Sequence, residues 1–260
     1  MPTLEERMLS SYPVLARLGR ADENGIPRSN NMINQVAPDL WRIIGEACFG
    51  YLWNRPGLTM EQRSLSTISI ITVLRRDDNL KGHVESGLDV GLSAEQIVEI
   101  MIQLIFYTGA PIANTGLRVA HDVFRERGIQ VQPQHIYDTT EDPEAMYQRG
   151  RATFREIIGE RPERNRDEVN QAWERYLMEY LWGSVWTRPL LTVQERMVCV
   201  LTALTEIGTD NAFRNHVRGA LNVGLTEQQI NELIFHQTFY IGVPKARHAK
   251  ALAKEVFDSR

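Results

Sequence analysis

The second half of this chain repeats the first. His83 in Gly82-His83-Val84-Glu85-Ser86-Gly87-Leu88-Asp89-Val90-Gly91 and His216 in Asn215-His216-Val217-Arg218-Gly219-Ala220-Leu221-Asn222-Val223-Gly224 stand 133 positions apart (216 minus 83). The register holds around them without insertion. Trp53-Asn54-Arg55-Pro56 aligns with Trp186-Thr187-Arg188-Pro189, Arg63 with Arg196, and Phe106-Tyr107-Thr108-Gly109-Ala110-Pro111 with Phe239-Tyr240-Ile241-Gly242-Val243-Pro244. A tandem duplication restricts the fold severely. Both units must be built alike, and each can bury an apolar face against the other as the halves of a homodimer do.

The units read as helical. Apolar residues recur with a 3.6-residue period at Leu40, Ile43, Ile44 and Ala47, at Leu65, Ile68 and Ile71, and at Ile97, Ile100, Met101, Leu104 and Ile105. Capping-box signatures open helices at Thr59/Gln62, Ser93/Gln96, Thr192/Glu195 and Thr226/Gln229, and Gly91 and Gly224 close the histidine helices. No segment reads as a strand. The pattern predicts an all-α fold of two tandem helical units forming an intramolecular pseudo-dimer. Residues 1–37 form an N-terminal arm with one helix, about Leu4 to Leu18, and a loop at Asp22–Pro27. Residues 38–127 are the first repeat, 128–143 a linker, and 144–260 the second repeat. In the second repeat, Glu144–Ile158 and Asp167–Trp182 are helical around a charged turn at Glu160–Arg166.

Composition narrows the class. With 43% apolar and 24% charged residues the chain reads as a globular protein, and a net charge of −4 gives no bias toward nucleic acid or an anionic membrane. The basic run Arg161–Arg166 is interleaved with Glu and Asn and reads as a solvated face. No apolar window suits a membrane span and the first residues do not resemble a signal peptide, so a cytoplasmic location is expected. Cys48 and Cys199 are isolated and read as small core residues. No His/Asp/Glu cluster has metal-ligand spacing and no glycine loop suits a phosphate, so neither metal nor cofactor is expected.

Three motifs in order resemble the carboxymuconolactone decarboxylase family, which includes the AhpD-like peroxidase partners. They are Trp182-Gly183-Ser184-Val185-Trp186-Thr187-Arg188-Pro189 with Arg196, then His216-Val217-Arg218-Gly219-Ala220-Leu221-Asn222-Val223-Gly224, then Tyr240-Ile241-Gly242-Val243-Pro244. Tyr147-Gln148-Arg149-Gly150 resembles the family's entry segment. The first copy keeps the frame more loosely. The resemblance implies two tandem AhpD-like units and assembly into rings, hence a homo-oligomer, with a trimer favoured. It also implies one of two chemistries. Thiol chemistry would need C-x-x-C ahead of the histidine, where this chain has Arg76 and Asn79 in one copy and Thr209 and Ala212 in the other. The acid that assists those thiols would fall at Ser64 or Met197. Thiol-dependent peroxide reduction is therefore disfavoured.

The second implied chemistry is cofactor-free decarboxylation of a small unsaturated lactone or carboxylic acid. Loss of CO₂ leaves a dienolate, so the site needs a cation for the carboxylate, an acid for carbon and donors for the enolate oxygen. Histidine and arginine are suitable types. The candidates are Arg196 to bind the acid and His216 to move the proton, with Arg63 and His83 as their counterparts. Each has a second reading: a salt bridge for the arginines, a packed helical residue for the histidines. Trp186, Arg218, His236 and Tyr240 are the candidate substrate-binding residues, although Trp186 and Tyr240, like Trp53 and Tyr107, suit packing better than ligand contact. Arg218, Asn222 and His236 replace Glu85, Asp89 and Gln103 of the first copy, so an anionic substrate points to the second copy as the working site. Lactone hydrolysis, dehydration or isomerisation on the same frame, or non-catalytic ligand binding, are the alternatives.

Overall fold

The computed structural model describes residues 2–28, 31–136, 138–160 and 167–259. Among the described residues there are thirteen α-helices and no strand beyond a single antiparallel bridge between Ala21 and Pro27. The arm contains α1 (Leu4–Arg17) and α2 (Asn31–Val36), and the first copy contains α3 (Pro38–Ile43), α4 (Met60–Val73), α5 (Asp77–Asp89), α6 (Ala94–Thr108) and α7 (Ala110–Glu126). The second contains α8 (Pro143–Ile157), α9 (Glu168–Tyr176), α10 (Val193–Ile207), α11 (Asp210–Asn222), α12 (Glu227–Ile241) and α13 (Val243–Asp258). The helix α2 is an addition to the single helix expected in residues 1–37. The turn expected at Glu160–Arg166, with its basic run, falls outside the described residues from Arg161 onward.

All four capping boxes form, at Thr59, Ser93, Thr192 and Thr226. Each satisfies amides that the first turn would otherwise leave open. The helices α3 and α9 run on into π-helical segments, Ile44–Leu52 and Leu177–Val185, which the apolar period did not reveal. Both end with the same wide hydrogen bond, Trp53 N to the Cys48 carbonyl at 2.9 Å and Trp186 N to the Leu181 carbonyl at 3.0 Å. Each places one extra residue in the turn that ends at the tryptophan.

The helix α1 packs on the first π-helical segment as α8 packs on the second. Both contacts bring backbone against backbone. A Cβ at Gly50 would stand 2.0 Å from the Arg7 carbonyl oxygen, and one at Gly150 would stand 1.8 Å from that of Met178. The two copies meet through α4 and α10, where Ser66 Oγ lies 3.0 Å from Thr202 Oγ1 amid buried Leu65, Ile68, Met197, Cys199 and Val200. The helices nearest the histidines are exchanged across this seam: α6 of the first copy lies on α10, and α12 of the second lies on α4. No described helix is long and apolar enough to cross a membrane.

Candidate functional site

The exchange of α6 and α12 decides which side chains meet. His216 on α11 receives Tyr107 from the other copy, and His83 on α5 receives Tyr240. This corrects the expectation that His216 shares a pocket with His236 and Tyr240. Those two residues sit on α12, which crosses the seam to the side of α4 and so joins His83 and Trp53. Each cluster is assembled from both copies.

Around His216 the hydrogen bonds form a closed chain. Trp186 Nε1–H donates to Tyr107 Oη at 3.1 Å, and Tyr107 Oη lies 3.1 Å from His216 Nε2. His216 Nδ1 lies 2.8 Å from the Ala212 carbonyl oxygen, which can only accept. The Nδ1 proton is therefore fixed, Nε2 is bare, and the Tyr107 O–H donates to it. Trp182 stacks 6.3 Å from the His216 ring. Burial lowers His216 to about 4, partly opposed by the Ala212 carbonyl, and burial raises Tyr107 above its ordinary range. At neutral pH both are uncharged.

Around His83 the arrangement is related but more open. Trp53 Nε1–H donates to Tyr240 Oη at 2.9 Å, matching Trp186 and Tyr107. Tyr240 and His83 both keep partial contact with solvent, and their rings lie 5.8 Å apart. The Cys48 thiol approaches Tyr240 Oη at 4.0 Å. Burial pushes that thiol, and the Cys199 thiol, up to about 12, so both stay protonated. His83 is held well below its ordinary value, first by burial, then by Arg20 and His236. Arg20 comes from the turn after α1 and contacts His83 Nδ1 at 3.3 Å. Sequence reasoning missed Arg20, because it lies in the arm and no repeat signal marks it.

The two candidate arginines are enclosed. Arg196 is fully buried, and its fork is occupied by Glu99 Oε2 at 3.0 Å, Gln103 Oε1 at 3.0 Å and the carbonyls of Arg188 and Pro189 at 2.7 and 2.9 Å. Arg188 binds the same Glu99 carboxylate through Nε and Nη2. This corrects the reading of Arg196 as a substrate clamp: its anion is supplied by the protein, across the seam. Arg63, also buried, donates to the Arg55 carbonyl at 2.6 Å and to His236 Nδ1 at 3.3 Å, while Arg55 forms the bidentate pair with Glu232. Burial lowers Arg63 to about 10. His236 Nε2 lies 2.9 Å from Thr67 Oγ1, which itself donates to the Arg63 carbonyl, so His236 is neutral and locked in place. The Arg55/Glu232 and Arg188/Glu99 pairs were also missed, although all four positions recur at the repeat spacing.

Arg218 does not join either cluster. It is exposed on α11 and donates to Asn215 Oδ1 at 3.1 Å, because its position on the helix faces away from His216. Asn222 donates to the Ile157 carbonyl at 3.0 Å. With His236 on the other side of the seam, none of Arg218, Asn222 and His236 favours the second copy as the working site. Among the described residues no group of three or more His, Cys, Asp or Glu side chains suits a metal ion.

The profile of the Carboxymuconolactone decarboxylase family matches residues 38–122 and again 171–255. The chain belongs to this family. It is a tandem member, with the two matches covering corresponding parts of its two copies. A 4-carboxymuconolactone decarboxylase of Acinetobacter baylyi is 32% identical over 118 residues, 44% of this chain and 88% of that protein. A nitrosuccinic acid decarboxylase of Metarhizium robertsii is 27% identical over 117 residues, 44% of this chain and 82% of that protein. An uncharacterized 15.0 kDa protein of Paracoccus denitrificans is 32% identical over 96 residues, 36% of this chain and 72% of that protein. Each relative is therefore matched by less than half of this chain. Arg20 lies outside both family matches.

Proposed function

We propose that this protein is a cofactor-independent decarboxylase acting on a small unsaturated lactone or carboxylic acid at the junction of its two copies. The observation that carries this reading is the polar unit built twice: a tyrosine hydroxyl held by a tryptophan N–H and set beside a histidine. Two relatives named as decarboxylases support the reaction type. In the reaction the bond from carbon to the substrate carboxylate breaks and CO₂ leaves. The electron pair moves into the conjugated carbonyl, whose oxygen becomes an enolate. Tyrosine O–H and histidine N–H groups are suitable donors to that oxygen, and in a site partly shielded from water they act more strongly than in solution. One proton from solvent then completes the carbon. His83 and His216 are the candidate histidines, with Trp53, Trp186, Tyr107 and Tyr240 lining the two junctions.

The test is release of CO₂ from a panel of unsaturated lactone acids, repeated with His83→Ala and His216→Ala. At least one variant is expected to lose turnover by about 100-fold or more, in the range of a lost acid–base or enolate-stabilising group. Full activity in both variants would sink the reading. A cytoplasmic homo-oligomer, a trimer in the first instance, belongs to the same proposal. Exposed apolar residues at matching places in the two copies, Val36, Leu40 and Ile43 against Val169, Trp173 and Tyr176, support the oligomer. Light scattering of the intact chain checks it.

A further inference from the structure

The two histidines occupy equivalent helix positions but hold their protons on opposite ring nitrogens. His216 Nδ1 faces the Ala212 carbonyl one turn earlier, so Nδ1 carries the proton and Nε2 is used up as an acceptor for Tyr107. His83 Nδ1 instead faces the Arg20 guanidinium, which can only donate. His83 Nδ1 is therefore the acceptor and Nε2 carries the proton. A protonated His83 would set an Nδ1–H against an Arg20 N–H, so this contact keeps the ring neutral.

Arg20 is held for this contact. Gly19 adopts φ +67°, a left-handed turn that favours glycine, and it lies against the Asp89 carboxylate of α5, which a Cβ there would displace. Ser86 Oγ donates to the Leu18 carbonyl at 2.9 Å and accepts from Arg20 Nε at 2.9 Å, while Arg20 Nη2 also reaches the Gly82 carbonyl at 3.2 Å. Backbone bonds from Arg28 N to the Arg20 carbonyl and from Asp22 N to the Ile26 carbonyl close the loop behind it. The second copy has Gly219 where Ser86 stands and Asn215 where Gly82 stands, and it lacks this anchorage. Arg20 forms no ion pair among the described residues. Its Nη1 meets no protein acceptor among the described residues; the side chain is partly exposed, with its guanidinium carbon 5.7 Å from the centre of the Phe49 ring.

We propose that Arg20 makes the His83 cluster the working site. It binds the carboxylate of the substrate through its free Nη1 edge and fixes His83 as the neutral Nε2–H form, which donates, with Tyr240 O–H, to the enolate oxygen. The His216 cluster, with its hydrogen bonds closed and no free cation beside it among the described residues, is the structural counterpart. This rests on the decarboxylase reading for the enolate, but the tautomer and the carboxylate contact do not depend on turnover.

The test uses the full chain labelled with ¹⁵N-histidine, with ring tautomers read by long-range proton–nitrogen correlation at pH 7.5. His83 is expected to be protonated on Nε2 and His216 on Nδ1. In Arg20→Ala, His83 should switch to Nδ1–H, while His216 is unchanged and serves as the check on folding. Titration with furan-2-carboxylate as the probe should shift His83 in the wild type, more weakly in Arg20→Lys, and not in Arg20→Ala. On a turned-over lactone acid, Arg20→Ala should raise KM at least 10-fold, with partial recovery in Arg20→Lys. An Nδ1–H His83 in the wild type, or a probe response at His216 with none at His83, overturns the proposal. If no lactone acid is turned over but the tautomers and probe behave as stated, the decarboxylase reading fails and the Arg20 assignment stands.

Discussion

At the residue scale, the buried histidines and arginines define how the protein responds to acid and to loss of charge. His216 sits at about 4 in the folded chain against an ordinary value near 6.5. Above about pH 6.5 both folded and unfolded forms leave it neutral. Between about 6.5 and 4 the unfolded chain takes up a proton that the folded chain refuses, so stability falls as pH drops through that window and levels off below it. For His216 the full loss is about 3 kcal/mol. His83 and His236 are shifted in the same direction, also chiefly by burial, and deepen the decline. Urea midpoints at pH 7.5 and 4.5 should therefore differ less in His216→Gln than in the wild type, and equal differences would refute the account. Glu99 is the complementary case. Its carboxylate compensates two buried guanidiniums, Arg188 and Arg196. Glu99→Gln leaves both cations without an anion and should destabilise the fold by about 3–5 kcal/mol in denaturant titration. The Glu232 pair leans on a more exposed Arg55, so Glu232→Gln should cost less.

At the element scale, the helices were legible because their signals are local. Thr59, Ser93, Thr192 and Thr226 announce helix starts by side-chain chemistry within three residues, and the apolar period marks the faces that become the seam. The π-helical turns were not legible, since one wider hydrogen bond at Trp53 or Trp186 leaves the apolar pattern nearly unchanged. The site was legible only in its parts. His83, His216, Tyr240 and Trp186 were identified as types, but their pairing depends on α6 and α12 crossing the seam, which no periodicity within one copy encodes. Arg20 was invisible because its importance comes from a turn held at α5 by Gly19 and Ser86. The glycines carry a prediction at this scale. Gly150 lets α8 touch the second π-helical segment through backbone atoms, with Met178 and Gly183 both inside the space a methyl group would fill. Relief requires the helices to separate. Gly150→Ala should destabilise by about 3 kcal/mol, as for an overpacked core, and lower the thermal midpoint accordingly. Gly128→Ala is the control: nothing lies within reach of its Cβ, and only its φ of +67° opposes the change.

At the scale of the whole molecule, one chain contains an interface that a single repeat cannot satisfy. The faces of α4 and α10 bury Leu65, Ile68, Ile70, Met197, Cys199 and Val200 completely, and α12 completes its packing on α4 from the other copy. A fragment holding residues 143–260 would expose the α10 face and leave α12 without its partner, an apolar surface of the kind that drives association. The repeat symmetry supplies the remedy, because α10 stands where α4 does. Two fragments can meet α10 to α10, with each α12 lying on the other copy's α10. In that homodimer His216 would receive a tyrosine from its mate at the position of Tyr107, and the mate's residue there is Tyr240. The fragment is therefore expected to fold only as a dimer, with sedimentation equilibrium giving twice the chain mass and helicity falling on dilution. Because the new contact is His216 to Tyr240 across the dimer, Tyr240→Phe in the fragment should weaken the dimer, whereas in the full chain the same change leaves His216 with Tyr107 untouched. A fragment that is helical and monomeric at micromolar concentration would show that each copy is self-sufficient and that the seam between them does not hold the fold together.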